Sequence, residues 1–306
     1  MTLQQLEYIV AVDTYRHFSR AAEACGVTQP TLSLQVIKLE EELGLPIFDR
    51  KANPLRPTIA GELLLKQASA AVRMTRQIKE TALKVLNQNQ GEVYLGMSSS
   101  VAPYLLPPLV QYMRKSCPDV EIHCLESNHT ELLGKLRRGE IDMAVMPDYK
   151  DSSDLLAIPL YTENIIAYLP PHHPFLSLEE VPVSMLKNEH VWGYYEMRKI
   201  IADSVEEEVI INETEFENGS LFTLVALSEA NGGIMVAPQT IIDVMMLERY
   251  TNLRPLVDPV PQRHIQLYIR QDYVMEQMLN VVGQAVCQVV PEPMLDEHLR
   301  RFGIRL

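Results

Sequence analysis

Two groups of residues in this 306-residue chain have types and spacing suited to recognition chemistry. The first is TQPTLSLQVIK, with Thr28, Gln29, Pro30, Thr31, Ser33, Leu34 and Lys38. The Gln29 amide can form a bidentate pair with adenine, Leu34 or Pro30 can meet a thymine methyl, and Lys38 can reach a phosphate. The second is a set of small polar residues placed where strands should end and helices begin. It comprises Ser98, Ser99 and Ser100, then His129 and Thr130 beside Asn128, with Pro147 after a further strand. Residues 196–199 after VWGYY, Met197 among them, and residues 218–220, including Gly219, add to it from later in the chain. Hydroxyls and backbone N–H groups at helix starts suit a carboxylate or another small polar group. Such residues also serve as plain helix caps. Arg198 and Lys199 read as solvated surface charges.

The elements that must position the first group are short helices. Leu3, Leu6 and Val10 share a face, giving a helix to about Thr14. Ser19 can cap a second helix, which Gly26 ends. Thr28 can cap a third, with Pro30 in its first turn, where the missing N–H costs nothing. Leu32, Val36, Leu39 and Leu43 form its buried stripe. Two helices joined by a tight glycine-containing turn, the second amphipathic, follow the helix-turn-helix plan. Glu40, Glu41 and Glu42 lie at the far end of that third helix. Because a recognition helix reads bases mainly with its N-terminal residues, acid there is no obstacle. FDRKANPLRPT brings Arg50, Lys51 and Arg56 into a basic loop, a wing able to reach a minor groove. From Thr58 to about Asn89 the pattern predicts one long helix with an apolar stripe. With no room in a small wing domain to bury that stripe, the helix is expected to pair with a second copy.

The second group falls in alternating strands and helices. GEVYLGMSSS, VEIHCLES and IDMAVM read as strands, interleaved with VAPYLLPPLVQYMRKS and HTELLGKLRRGE as helices. The alternation resumes with NIIAYLP, VWGYY, INETEF, SLFTLVALSEANG and GGIMVAP, and RHIQLYIR followed by VMEQMLNVVGQAV returns to the first sheet. This predicts a mainly parallel sheet in two α/β lobes, the plan of a solute-binding protein, with ligand at the carboxyl ends of the strands.

Charge is unevenly spread. Residues 1–90 contain 11 Lys/Arg and 9 Asp/Glu (+2), and residues 91–306 contain 16 and 31 (−15), which sum to the chain's −13. A near-neutral front and an acidic body suggest separate tasks. No run is long and apolar enough for a membrane span, and MTLQQLEYIV lacks the basic start of a signal peptide. The expected location is cytoplasmic, without a membrane partner. Cys25, Cys117, Cys124 and Cys287 form no C-x-x-C pair, and no zinc-type spacing appears, so neither metal nor cofactor is expected. The histidines are available bases, but no G-x-S-x-G, Walker loop or G-x-G-x-x-G accompanies them, so an enzyme is not expected.

LEYIVAV, FSRAAEACGVTQPTLSLQVIKLEEELGLPIFDR and PTIAGELLL together resemble the LysR-type transcriptional regulators, and the resemblance extends along the whole chain. It implies an α/β protein with an N-terminal winged helix-turn-helix, a long linker helix and a two-lobed, periplasmic-binding-protein-like sensor domain. It also implies a homodimer, and further a homotetramer, on double-stranded promoter DNA, switched by a small effector, which the hydroxyls and helix starts above lead us to expect as polar or anionic. Arg20, Thr28, Gln29, Pro30, Ser33 and Arg50 match family positions that touch DNA; Leu34 and Ile37 are apolar where polar or basic residues are common. YRHFSRAAEACGVTQPTLS, VAPYLLP and ELLGKLRRGEID look closest to the peroxide-sensing OxyR branch. That branch senses with a cysteine pair just after the strand corresponding to VWGYY. Here YYEMRKIIADSVEEE holds no cysteine, and Lys199 lies near the expected place of the reactive one. The expected domains are residues 1–58 for DNA binding, 59–90 for the linker and 91–306 for regulation. Lobe I is expected at about 91–161 and 268–306, and lobe II at about 162–267.

Overall fold

The computed structural model describes residues 1–52, 54–85, 91–149, 152–204, 220–240, 252–273 and 276–302. The chain divides into two compact units, one built on Met1–Gly91 and the other on Glu92–Leu136 with Ile141–Leu306.

In the first unit, helix α1 (Leu3–Tyr15) starts in a capping box. The Thr2 hydroxyl accepts from the Gln5 N–H, while the Gln5 side chain accepts from the Thr2 N–H. Helix α2 (Phe18–Ala24) is capped by His17 Nδ1, which accepts from Ser19 N at 3.2 Å, so the capping residue lies two positions before the expected Ser19. Gly26 and Gly44 end α2 and α3 (Gln29–Leu43) with φ of 66° and 70°, a left-handed conformation that a Cβ would penalise. Thr28 stands at the N-cap of α3 without capping it. Its hydroxyl lies 2.8 Å from that of Thr31 instead.

Leu32, Val36 and Leu39 are fully buried against Tyr8, Ile9 and Val12 of α1 and Ala21 and Ala22 of α2, whereas Leu43 is half-buried. Each such side chain contributes about 1.5–3 kcal/mol of burial, which anchors α3 against the other two helices. The wing is a two-stranded antiparallel ribbon of β1 (Phe48–Asp49) and β2 (Arg56–Pro57). Helix α4 (Ile59–Val85) follows. Its stripe is split: Leu65 and Ala68 are buried in the N-terminal core, while Ile59, Leu63, Met74 and Ile78 are 88, 62, 53 and 64% exposed. The small domain thus does bury part of this helix. Leu86 and residues 87–90 of the expected linker lie outside the described residues.

The second unit is built from β3 (Gly91–Ser98), α5 (Ala102–Ser116), β4 (Val120–Ser127), α6 (His129–Arg138), β5 (Met143–Pro147) and β6 (Leu155–Tyr168). Strands β7 (Val181–Pro182) and β8 (Val191–Trp192), helices α7 (Tyr195–Asp203) and α8 (Leu221–Asn231), and β9 (Ile234–Pro238) come next. Strands β10 (Leu253–Val257) and β11 (Gln262–Arg270) and helices α9 (Glu276–Val289) and α10 (Glu297–Phe302) complete it. The strand order is β4-β3-β5-β11-β6-β10-β7, with β9 joining β6 to β8.

The sheet is mixed, not mainly parallel. Strands β3 and β5 pair in parallel, but β11 runs antiparallel to both β5 and β6, and β6 antiparallel to β9 and β10. The cause is that the two lobes are not separate sheets. The 14-residue β6 pairs with β11 through its first part and with β9 and β10 through Ile165–Tyr168. The register slips between Ile265 and Gln266, where partners pass from Tyr161 to Pro159 and leave Leu160 as the extra residue of a bulge. Lobe I centres on Leu95, Leu105, Leu109, Val145, Leu267 and Val282, and lobe II on Ile165, Tyr168, Leu186, Met197, Leu224 and Val236. VWGYY is a strand only at Val191–Trp192, because Tyr194 caps α7 and Tyr195 begins it. The INETEF strand expectation lies outside the described residues. Among the described residues, no helix is long and apolar enough to cross a membrane.

Candidate functional site

The N-terminal half of α3 presents Gln29, Pro30, Thr31 and Leu34 as exposed residues, with Thr28 exposed just before them, Ser33 half-buried and Lys38 exposed further along the helix. Leu34 is 51% exposed, although the opposite stripe of the same helix is fully buried. That contrast fixes which face the helix offers outward. Arg20 on α2 and Arg56 on β2 are also exposed. Arg50 has a positioned guanidinium. It pairs with Glu40 at 2.9 Å and lies over the Phe18 ring, 5.4 Å from its centroid. Glu40 Oε1 also accepts from the backbone N–H groups of Ile47 (2.8 Å) and Phe48 (3.2 Å), tying the end of α3 to the wing. Glu42 pairs with the N-terminal amine of Met1 at 2.5 Å.

The serine turn after β3 closes on a polar cluster where the lobes meet. Arg263 on β11 is 1% exposed and donates four hydrogen bonds. Its Nε donates to Glu163 Oε1 (2.8 Å), Nη1 to Ser100 Oγ (3.0 Å), and Nη2 to Ser100 O (2.9 Å) and the Tyr104 hydroxyl (3.1 Å). Glu163 on β6, also buried, accepts from Tyr104 at 2.6 Å and from the Thr240 hydroxyl. Burial and the Glu163 carboxylate hold the Tyr104 phenol well above its usual range. Glu163 and its neighbours hold the Arg263 guanidinium in its charged form against the opposing effect of burial. From lobe II, the Tyr194 hydroxyl donates to Ser99 O at 3.1 Å, and Glu196 Oε1 comes within 3.7 Å of Arg263 Nη1. His129, at the start of α6, packs edge-on against Tyr149 with ring centroids 5.6 Å apart. Burial lowers its pKa, an effect that nearby Glu196 opposes and Arg263 reinforces.

The structure therefore brings Ser98, Ser99, Ser100 and His129 to one place and separates others from it. Ser98 is buried, with its hydroxyl 3.4 Å from that of Ser100. Thr130 is exposed on α6, and Asn128 is a helix cap whose Oδ1 accepts from Glu131 N at 2.9 Å. Pro147 is buried at the end of β5, paired with Ile265. Met197 is fully buried in the lobe II core, since the turn from Tyr194 into α7 points it inward; it is not a pocket residue. Arg198 is 4% exposed rather than solvated, and Lys199 is exposed. Ser220 caps α8 by accepting from Thr223 N at 3.2 Å, and Gly219 lies outside the described residues. Sequence reasoning missed Arg263, Glu163, Tyr104 and Tyr194, and it chose Met197 where Glu196 is the residue that reaches the cluster. The available signal was charge inside otherwise apolar strands, in LYTENIIAY and QRHIQLYIR.

Residues 3–62 match the family described as bacterial regulatory helix-turn-helix protein, lysR family, and residues 86–288 match the LysR substrate binding domain. The chain belongs to the LysR family of transcriptional regulators. It is 30% identical over 289 residues to the DNA-binding transcriptional dual regulator OxyR of Escherichia coli, covering 94% of this chain and 95% of that one. The hydrogen peroxide-inducible genes activator of Haemophilus influenzae is 29% identical over 293 residues, 95% of this chain and 97% of its own. A full-length OxyR variant from Pseudomonas aeruginosa superimposes with a TM-score of 0.80 at 27% identity, covering 97% of this chain and 98% of the other. As a LysR regulator, the chain joins a DNA-binding helix-turn-helix to an effector-binding domain of two lobes.

Proposed function

We propose that this LysR regulator reads promoter DNA with the N-terminal half of α3, using Gln29 on a base edge and Thr28, Pro30, Thr31, Ser33 and Leu34 around it. Arg20, Lys38, Arg50 and Arg56 set the phosphate and wing contacts. The observation that carries this reading is the two-faced α3, fully buried at Leu32, Val36 and Leu39 and exposed at Gln29, Leu34 and Lys38. A dimer forms along α4 through Ile59, Leu63, Met74 and Ile78, which at 100° per residue fall within about 100° of the helix circumference. Pairing of regulatory domains then gives a tetramer. A small polar effector binds at the Ser100, His129, Glu196 and Arg263 cluster and shifts the lobes about the shared strands β6 and β11. The protein acts by binding, without catalysis, in the cytoplasm where its promoters lie.

The relatives' peroxide response supports a second reading, but the cysteines are placed against it. Cys25 is in the helix-turn-helix, Cys117 ends α5, Cys124 is on β4 and Cys287 is on α9. Burial raises the thiol pKa of Cys25 and Cys287, opposite to an activated thiolate.

Anisotropy titration of labelled DNA from upstream of the protein's own gene, at two salt concentrations, tests the reading. Affinity should fall with salt, and Arg56→Ala should reduce the log–log slope by about one. A slope near zero for the wild type would refute it. Ser100→Trp should leave DNA affinity unchanged while removing any effector response, and peroxide should change neither.

A further inference from the structure

An arginine in a small-molecule cleft ordinarily invites an anion, but the bonding here argues otherwise. Arg263 directs four N–H groups to Glu163, the Ser100 hydroxyl, the Ser100 carbonyl and Tyr104. Of the five N–H groups a guanidinium carries, one is left. Its charge is matched by Glu163 at 2.8 Å, with both side chains almost wholly buried. The remaining N–H lies on the side of Glu196, whose Oε1 is 3.7 Å from Nη1, beyond hydrogen-bond reach. That carboxylate oxygen is buried and accepts no hydrogen bond. The cluster thus holds one positive and two negative groups, of which Arg263 and Glu163 are almost wholly buried and Glu196 is partly exposed. Glu126 adds a further negative field at Tyr194, and burial favours the neutral form of His129. A carboxylate ligand would meet a neutralised arginine and an opposing carboxylate.

We propose that the effector is a small cation bearing N–H donors, a primary ammonium group, received by Glu196 between the lobes. An ammonium supplies the donor that the buried Oε1 lacks and offsets the second carboxylate that Arg263, already matched by Glu163, leaves unbalanced where α7 of lobe II meets the Ser100 turn of lobe I. Ligand charge and lobe closure are thereby coupled at one carboxylate. This inference rests on the cleft reading given above and names its ligand.

The test uses the full-length protein and the smallest probes of each sign, methylammonium chloride and sodium acetate, at matched ionic strength. The readouts are the thermal midpoint and the fluorescence of Trp192, the only tryptophan, four residues before Glu196. Methylammonium should give a saturable change and acetate none. Glu196→Gln should weaken the methylammonium response by about tenfold or more, and Ser100→Trp should abolish it. A saturable response to acetate alone, lost in Ser100→Trp, would overturn the cationic ligand while leaving the cleft in place. A methylammonium response that survives Ser100→Trp unchanged would place binding elsewhere and defeat the cleft reading itself. A response to neither ion would also refute the proposal, because a site built for an ammonium group must accept the smallest one.

Discussion

Replacing Glu163 by glutamine keeps the shape and most hydrogen-bonding capacity of the side chain but removes the charge that balances Arg263. With the pair almost fully buried and 2.8 Å apart, the change leaves a buried guanidinium with its hydrogen-bond partners but without its paired counter-charge. Breaking such a pair typically costs about 3–5 kcal/mol. Glu196, 3.7 Å away, can move toward the orphaned charge and recover part of that loss, so the expected cost is about 3 kcal/mol, the lower end. For a unit of this size each kcal/mol shifts the midpoint by about 2–4 °C, giving a fall of about 6–12 °C. Differential scanning calorimetry of the full-length protein would measure it, with Glu163→Met/Arg263→Met as the companion. Removing both charges together should restore most of the stability, because the penalty belongs to the unpaired group and not to the lost attraction. The reasoning fails if the single variant melts within about 2 °C of wild type, less than 1 kcal/mol. It also fails if the double variant is as unstable as the sum of its singles.

Gln29→Ala should cost specific DNA binding about 1–3 kcal/mol and relax discrimination at one base pair, read by competition anisotropy with single-base operator variants. Glu40→Ala should destabilise the N-terminal unit by about 1–3 kcal/mol, because it leaves the part-buried N–H groups of Ile47 and Phe48 without their acceptor; urea denaturation would detect this. Ile78→Glu on the exposed stripe of α4 should shift sedimentation toward monomer without changing the melting of the second unit. His129 sets a pH dependence. Its folded pKa lies below the ordinary 6.5, so its contribution to stability is fully present above 6.5 and is lost as pH falls toward the folded value. His129→Gln should flatten the pH–stability profile of the second unit in that window, and an unchanged profile would contradict the assignment.

The helix-turn-helix was legible because its signals are local. The Leu32–Val36–Leu39 period, the Pro30 start and the glycine stops at 26 and 44 each act within a few residues. Caps were less legible, since His17 and Ser19 both suit the start of α2 and tertiary packing chose between them. Strand positions were readable in lobe I, but the antiparallel β11 was not, because pairing direction is set by partners more than a hundred residues away. The polar cluster around Arg263 suffered most from this. Glu163 and Arg263 are single charges in apolar strands, and only their cross-strand meeting shows why either is tolerated. Met197 and Arg198 were misread for the converse reason: α7 turns both inward, against what their neighbours in sequence suggested.

Helix α3 is divided along its length as well as across it. Its first two turns show solvent the residues proposed to choose a base sequence, while its last turn, through Glu40, fastens the wing. On the proposed reading, substitutions at Gln29, Thr31 or Leu34 would alter the address the protein seeks without loosening the ribbon that accompanies it. A lineage carrying this arrangement would then drift among promoters by exchanging a few surface side chains, with Glu40 keeping wing and reading helix in fixed register throughout.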